Sequence, residues 1–169
     1  TTGSFNVAMG RSALGVNTTG NFNVAIGRNA LVANTTAANN TAVGASALTA
    51  NTTGTYNVAI GYAALDASTT AGANTAVGYN ALTANTSAQQ NVAVGTSAMA
   101  ATTTGGDNVS IGVSSLLANT TGVSNTAVGK SALASNTTGA YNTAVGGTSG
   151  YATTTGTSNV SMGFESFYY

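Results

Sequence analysis

Cysteine, histidine, tryptophan and proline are all absent, and charge is nearly so: three Lys+Arg and three Asp+Glu among 169 residues, for a net charge of zero. Without cysteine or histidine there is no disulfide framework, no zinc site and no histidine base to activate a cysteine or serine. A chain so poor in charge has no basic footprint for nucleic acid and no polybasic patch for lipid. No apolar run approaches the ~20 residues of a membrane-crossing helix. Neither a cofactor nor a metal ion is expected.

What is abundant is small, polar or β-branched: 31 Thr, 22 Gly and 20 Asn. These residues recur with a period of 17. The first unit reads TTGSFNVAMGRSALGVN and the second TTGNFNVAIGRNALVAN. Ten units begin at Thr1, Thr18, Thr35, Thr52, Thr69, Thr86, Thr103, Thr120, Thr137 and Thr154. We number the columns of the repeat from 1 to 17. Column 1 is always Thr, and column 2 is Thr except for Ser87. Column 3 is Gly or Ala, column 7 Val or Thr, and column 9 Val, Ile or Met. Column 6 is Asn in every unit: Asn6, Asn23, Asn40, Asn57, Asn74, Asn91, Asn108, Asn125, Asn142 and Asn159. Column 10 is Gly in every unit: Gly10, Gly27, Gly44, Gly61, Gly78, Gly95, Gly112, Gly129, Gly146 and Gly163. Column 14 is Leu in seven units, with Met99, Gly150 and Phe167 in the others.

The periodicity excludes a helix. Gly and Asn in every unit weaken a helix interior, and columns 7, 9 and 14 do not follow the i, i+3, i+4 spacing of a helical face. Disorder is excluded by 43% hydrophobic residues at fixed columns with little charge. The reading that remains is all-β: a parallel β-solenoid of ten 17-residue coils, one repeat domain over residues 1–169. Each coil is expected to carry two short strands, over columns 5–9 (Phe22–Ile26) and columns 12–16 (Asn29–Ala33). Gly at column 10 makes a tight turn with φ > 0, and columns 17 to 3 make the second turn from Asn and Thr. Coils stacked about 4.8 Å apart give a rod about 48 Å long. One coil buries too little to fold alone, so stability comes from stacking on neighbours, with asparagine ladders at column 6 contributing.

If columns 7 and 9 face the interior with Leu at 14, column 8 faces outward. Column 8 nevertheless holds only Ala or Ser, which predicts a second close-packed surface, an interface between parallel chains. The alternative is a narrow interior that admits only small residues.

The motif Asn-[Val/Thr]-Ala-[Val/Ile]-Gly, as in Asn23–Gly27 and Asn74–Gly78, resembles the head repeats of trimeric autotransporter adhesins. The longer frame, as in Asn74–Gly95, is similar to repeat arrays of phage and cyanophage tail fibres. The resemblance implies a left-handed β-roll, a homotrimer, and an extracellular place on a virion or cell surface. The tenth unit stops one residue short of a full period, so a segment of a longer fibre is expected. The function this implies is a structural shaft that extends a receptor-binding tip and contacts host surfaces.

An enzyme is not expected. Asp66, Asp107 and Glu165 lie three units apart, about 14 Å in a stack, against roughly 5–9.5 Å for paired glycosidase carboxylates. Phe5 over Phe22 and Tyr62 over Tyr79 are candidate surface contacts for a host glycan or protein, with simple cross-coil packing as the alternative. Arg11 over Arg28 reads as solvated surface. Sequons such as Asn17-Thr18-Thr19 are read as turn chemistry. The other functional class the sequence permits is ice binding through the threonine ladders of columns 1 and 2.

Overall fold

In the computed structural model, which describes residues 2–168, the chain is a parallel β-solenoid. Ten three-residue strands run from β1 (Val7–Met9) and β2 (Val24–Ile26) to β10 (Val160–Met162), each on columns 7–9. They form a single sheet in sequence order. Every pair is parallel and offset by one period: Val7 pairs with Val24, Ala8 with Ala25 and Met9 with Ile26.

Each coil has one strand rather than the two expected. Columns 10–17 fold instead into three overlapping turns, seen in the second coil as Ala30 N–H to Gly27 O (3.3 Å), Val32 N–H to Asn29 O (3.2 Å) and Asn34 N–H to Leu31 O (3.2 Å). Columns 12 and 14 both have positive φ, 60° at Asn29 and 50° at Leu31, which breaks an extended chain. This side is still laddered to its neighbours. Asn29 N–H donates to Arg11 O (2.9 Å) in the preceding coil, while Leu31 N–H donates to Ala47 O (3.0 Å) in the following one. A left-handed backbone at leucine costs roughly 1–2 kcal/mol. Leu31 is wholly buried, and burying a leucine contributes roughly 1.5–3 kcal/mol, so packing can hold the strain.

The interior is also inverted relative to the sequence reading. Column 8 points in and columns 7 and 9 point out: from Ala25 to Ala144 every column-8 residue is fully buried, whereas the flanking strand residues are half-buried or exposed. The reason is volume. Leu at column 14 fills the space opposite the strand, and only Ala at columns 8 and 13 fits beside it. Column 8 therefore makes no contact surface for another chain; its restriction to Ala or Ser is that of a narrow core. Where serine enters, its hydroxyl is satisfied. Ser110 Oγ donates to Ser115 O at 3.0 Å and pairs with the Ser115 hydroxyl, column 13 having changed in the same coil.

Column 10 supplies the corner after the strand. Its glycines have φ between 114° and 143°, a region L side chains avoid. They also stack so closely that a Cβ on Gly78 would lie 2.4 Å from Gly95 O.

Candidate functional site

The other half of the interior is polar. Column 6 forms a continuous amide ladder, built of Asn6 through Asn159. In its middle, Asn57 donates from its backbone N–H (2.9 Å) and Nδ2 (3.1 Å) to Asn40 Oδ1, and from Nδ2 to Ala71 O (2.9 Å). Asn57 Oδ1 in turn accepts from Asn74 N–H and Nδ2 at 3.1 and 3.3 Å. These groups tie three coils together and leave no free amide for a ligand. Column 17 carries a second, interrupted ladder, with Asn34 Nδ2 donating to Asn17 Oδ1 (2.8 Å) and to Ala37 O (3.2 Å). The sequon asparagines of this column are buried with Nδ2 bonded, as the turn reading requires.

The column-1 threonines are similarly engaged. From Thr18 to Thr137 each hydroxyl donates to the column-1 carbonyl of the next coil, eight times in succession at 2.8–3.3 Å. Thr1 lies outside the described residues.

The surface that is available is the outer face of the sheet. Columns 7 and 9 present Val, Thr, Ile and Met on ten consecutive strands, without a single charged residue. Ile60 and Ile111 at column 9 are 40% and 42% exposed in the middle of the rod. Two exposed rims flank this strip. On one side is column 5, with Phe5, Phe22, Tyr56 and Tyr141; on the other is column 11, with Tyr62 and Tyr79 among others. The column-5 aromatics sit at φ 56–61°, where bulky residues are rare, and being exposed they recover little through burial.

The candidate contact residues stack on one another. Phe5 and Phe22 lie 5.0 Å apart with ring planes 5° from parallel, and Tyr62 and Tyr79 lie 5.5 Å apart at 13°. Their rings therefore cover each other's inner faces, and a sugar has only the outer face of each pair to stack upon. Asp66, Asp107 and Glu165 fall in columns 15, 5 and 12 of coils 4, 7 and 10. Among the described residues, no three Asp or Glu come together as a metal cluster.

The uncharged outer strip was missed by sequence reasoning because Val and Ile at alternate positions were assigned to the core. The signal that locates it was present: a column restricted to Ala or Ser, opposite a leucine column, marks the thin side of a core.

No protein-family profile, no curated protein and no solved structure matches the chain. The resemblance to adhesin heads and tail fibres rests on the repeated motif alone.

Proposed function

We propose that the chain is a structural shaft of an extracellular fibre, of the phage tail-fibre or surface-adhesin kind, extending a receptor-binding tip from a virion or cell. The role is mechanical and not catalytic. Its chains pack side by side as a homotrimer through the outer face of the sheet.

The observation that carries this reading is the uncharged strip of columns 7 and 9, unbroken over ten strands. This strip of Val, Ile, Met and Thr is half-buried to exposed and runs the length of the rod, about 48 Å, and contiguous apolar surface of this kind marks association surfaces. The column-6 and column-1 ladders support the mechanical part. They bond every coil to the next, so that extension meets hydrogen bonds along the whole rod.

The second reading, ice binding, is weakened at column 1. Its hydroxyl hydrogens are committed to carbonyls and cannot be offered to a lattice. Thermal hysteresis at micromolar concentration is the assay that would revive it.

Sedimentation equilibrium tests the main reading. The expected result is a particle of three times the 16.3 kDa chain mass. A chain that stays monomeric at tens of micromolar contradicts it.

A further inference from the structure

Column 5 has a left-handed backbone in every coil. Asn39, Asp107, Ser124 and Ser158 are among its occupants, and short polar side chains of this kind tolerate that region where bulky ones are rare. Phe22 and Tyr56 nevertheless stand there at φ 56° and 61°, and they are 56% and 65% exposed. Backbone strain that burial does not offset is kept where it serves a function.

Phe5 and Phe22 are stacked 5.0 Å apart, 5° from parallel, a separation close to the coil spacing of about 4.8 Å. The rings therefore lie across the rod with their faces along it, and the outer face of Phe22 looks toward coil 3. Column 5 of coil 3 is Asn39, and that of coil 4 is Tyr56. Phe22 and Tyr56 are the one pair of column-5 aromatics two coils apart. Their separation along the rod is about 9.6 Å. A ring placed midway lies about 4.8 Å from each, inside the roughly 4.5–7 Å range of stacked ring centroids.

Asn39 is shorter than either neighbour, so it floors the gap without filling it. Its backbone N–H donates to Asn21 O (3.1 Å), while its exposed side-chain amide makes no hydrogen bond with any described residue. On the side away from the strand, column 4 of coil 3 is Ala38, between Asn21 and Thr55 of the adjoining coils. The gap is open there.

We infer that Phe22, Asn39 and Tyr56 form a binding slot for a neutral pyranose, held between the two rings with its polar edge on the Asn39 amide. Columns 2, 4 and 5 of coils 2–4 carry no charged residue, which favours an uncharged ligand. Two aromatic faces suit the two C–H faces of a saturated ring. The amide offers a donor and an acceptor side by side, which a vicinal diol or an acetamido group matches. The sugar lies across the rod, so its glycosidic neighbours leave over Ala38. The slot belongs to one chain and opens away from columns 7 and 9, so the inference goes beyond the shaft role and does not depend on how many chains associate.

Saturation-transfer difference NMR on the intact protein tests this, with methyl β-glucoside, methyl β-galactoside, methyl α-mannoside and N-acetylglucosamine as probes at millimolar concentration. Transfer from the aromatic resonances to the ring C–H protons of at least one sugar is expected. Tyr56→Ser, a residue column 5 already accepts in coils 8 and 10, is expected to weaken it tenfold or more. Asn39→Phe keeps both rings but fills the gap, and is expected to abolish it. Tyr141→Ser removes an equally exposed column-5 tyrosine with no ring two coils away, and is expected to leave it unchanged. Circular dichroism checks that each variant keeps the fold. Transfer to none of the four sugars overturns the inference. So does transfer that survives Asn39→Phe, or that Tyr141→Ser lowers as much as Tyr56→Ser, because the rings would then bind as separate surface groups.

Discussion

Asn51 Nδ2 donates to Asn34 Oδ1 at 3.3 Å, but Asn51 Oδ1 accepts from nothing, because the next column-17 residue is Ser68. The serine is one bond too short to continue the amide ladder, and its own hydroxyl is buried without a partner. Two buried polar atoms are thus orphaned at a single position. Replacing Ser68 with Asn restores a donor for Asn51 Oδ1 and an acceptor facing Asn85. The expected gain is about 1 kcal/mol, given the cost of an unsatisfied buried group. For a chain of this length that raises the melting temperature by about 2–4 °C. An unchanged or lower melting temperature shows that the column-17 ladder does not contribute.

At column 10 the prediction is loss. Gly78→Val must place a Cβ 2.4 Å from Gly95 O in a backbone region of high positive φ. The expected cost is about 3 kcal/mol or more, enough to split the rod into separately melting halves. Tyr79→Ser, the next residue, removes only an exposed stacked ring and is expected to cost about 0.5–1.5 kcal/mol. Urea denaturation of the two variants compares them directly; similar midpoints mean that column 10 is not the constrained corner described.

The inverted strand makes opposite predictions for adjacent residues. Ala76 is wholly buried against the leucine column, so Ala76→Val overfills the core and is expected to cost about 1–3 kcal/mol. Val77→Thr changes an outward residue and is expected to lie within about 0.5 kcal/mol for folding. Its effect should appear in sedimentation, as weaker association. If Val77→Thr is the more damaging of the two to folding, the strand faces have been assigned backwards.

The column-6 ladder predicts a larger effect than any single surface contact. Asn57→Ala deletes the side-chain bonds to Asn40, Ala71 and Asn74 and leaves the Asn74 backbone N–H without its acceptor in the preceding coil. The backbone N–H of residue 57 still donates to Asn40 Oδ1 and Asn74 Nδ2 still donates to Ala88 O, so the expected cost is about 2–3 kcal/mol rather than the sum of the bonds. Chemical denaturation reads it; a cost below about 0.5 kcal/mol would mean the ladder follows the fold without holding it.

The legible parts of this fold were those that one residue type fixes alone. Invariant glycine at 17-residue spacing required an unusual corner, and invariant asparagine required a ladder; both could be read from the columns. The facing of the strand could not be read from Val24 and Ile26, because strand alternation says that two faces differ without saying which is inside. Only the size limit at Ala25, taken with Leu31, decides that. The left-handed leucines were beyond local rules altogether. Propensity assigns Leu31 to a regular extended or helical backbone, and it is stacking between coils that holds it at φ 50°. The outer strip followed from the same inversion, and with it the rims of columns 5 and 11.

The central claim is that the 17-residue units stack one upon another along a single axis. Spin labels on cysteines introduced along column 11, with labelled chains diluted in unlabelled ones, measure this as a ruler. Labels replacing Arg28 and Val113, five coils apart, are expected about 24 Å apart, and labels replacing Arg11 and Lys130, seven coils apart, about 34 Å apart. Distances that rise in proportion to the number of coils support the stack. Distances that do not, or a broad distribution for both pairs, contradict it.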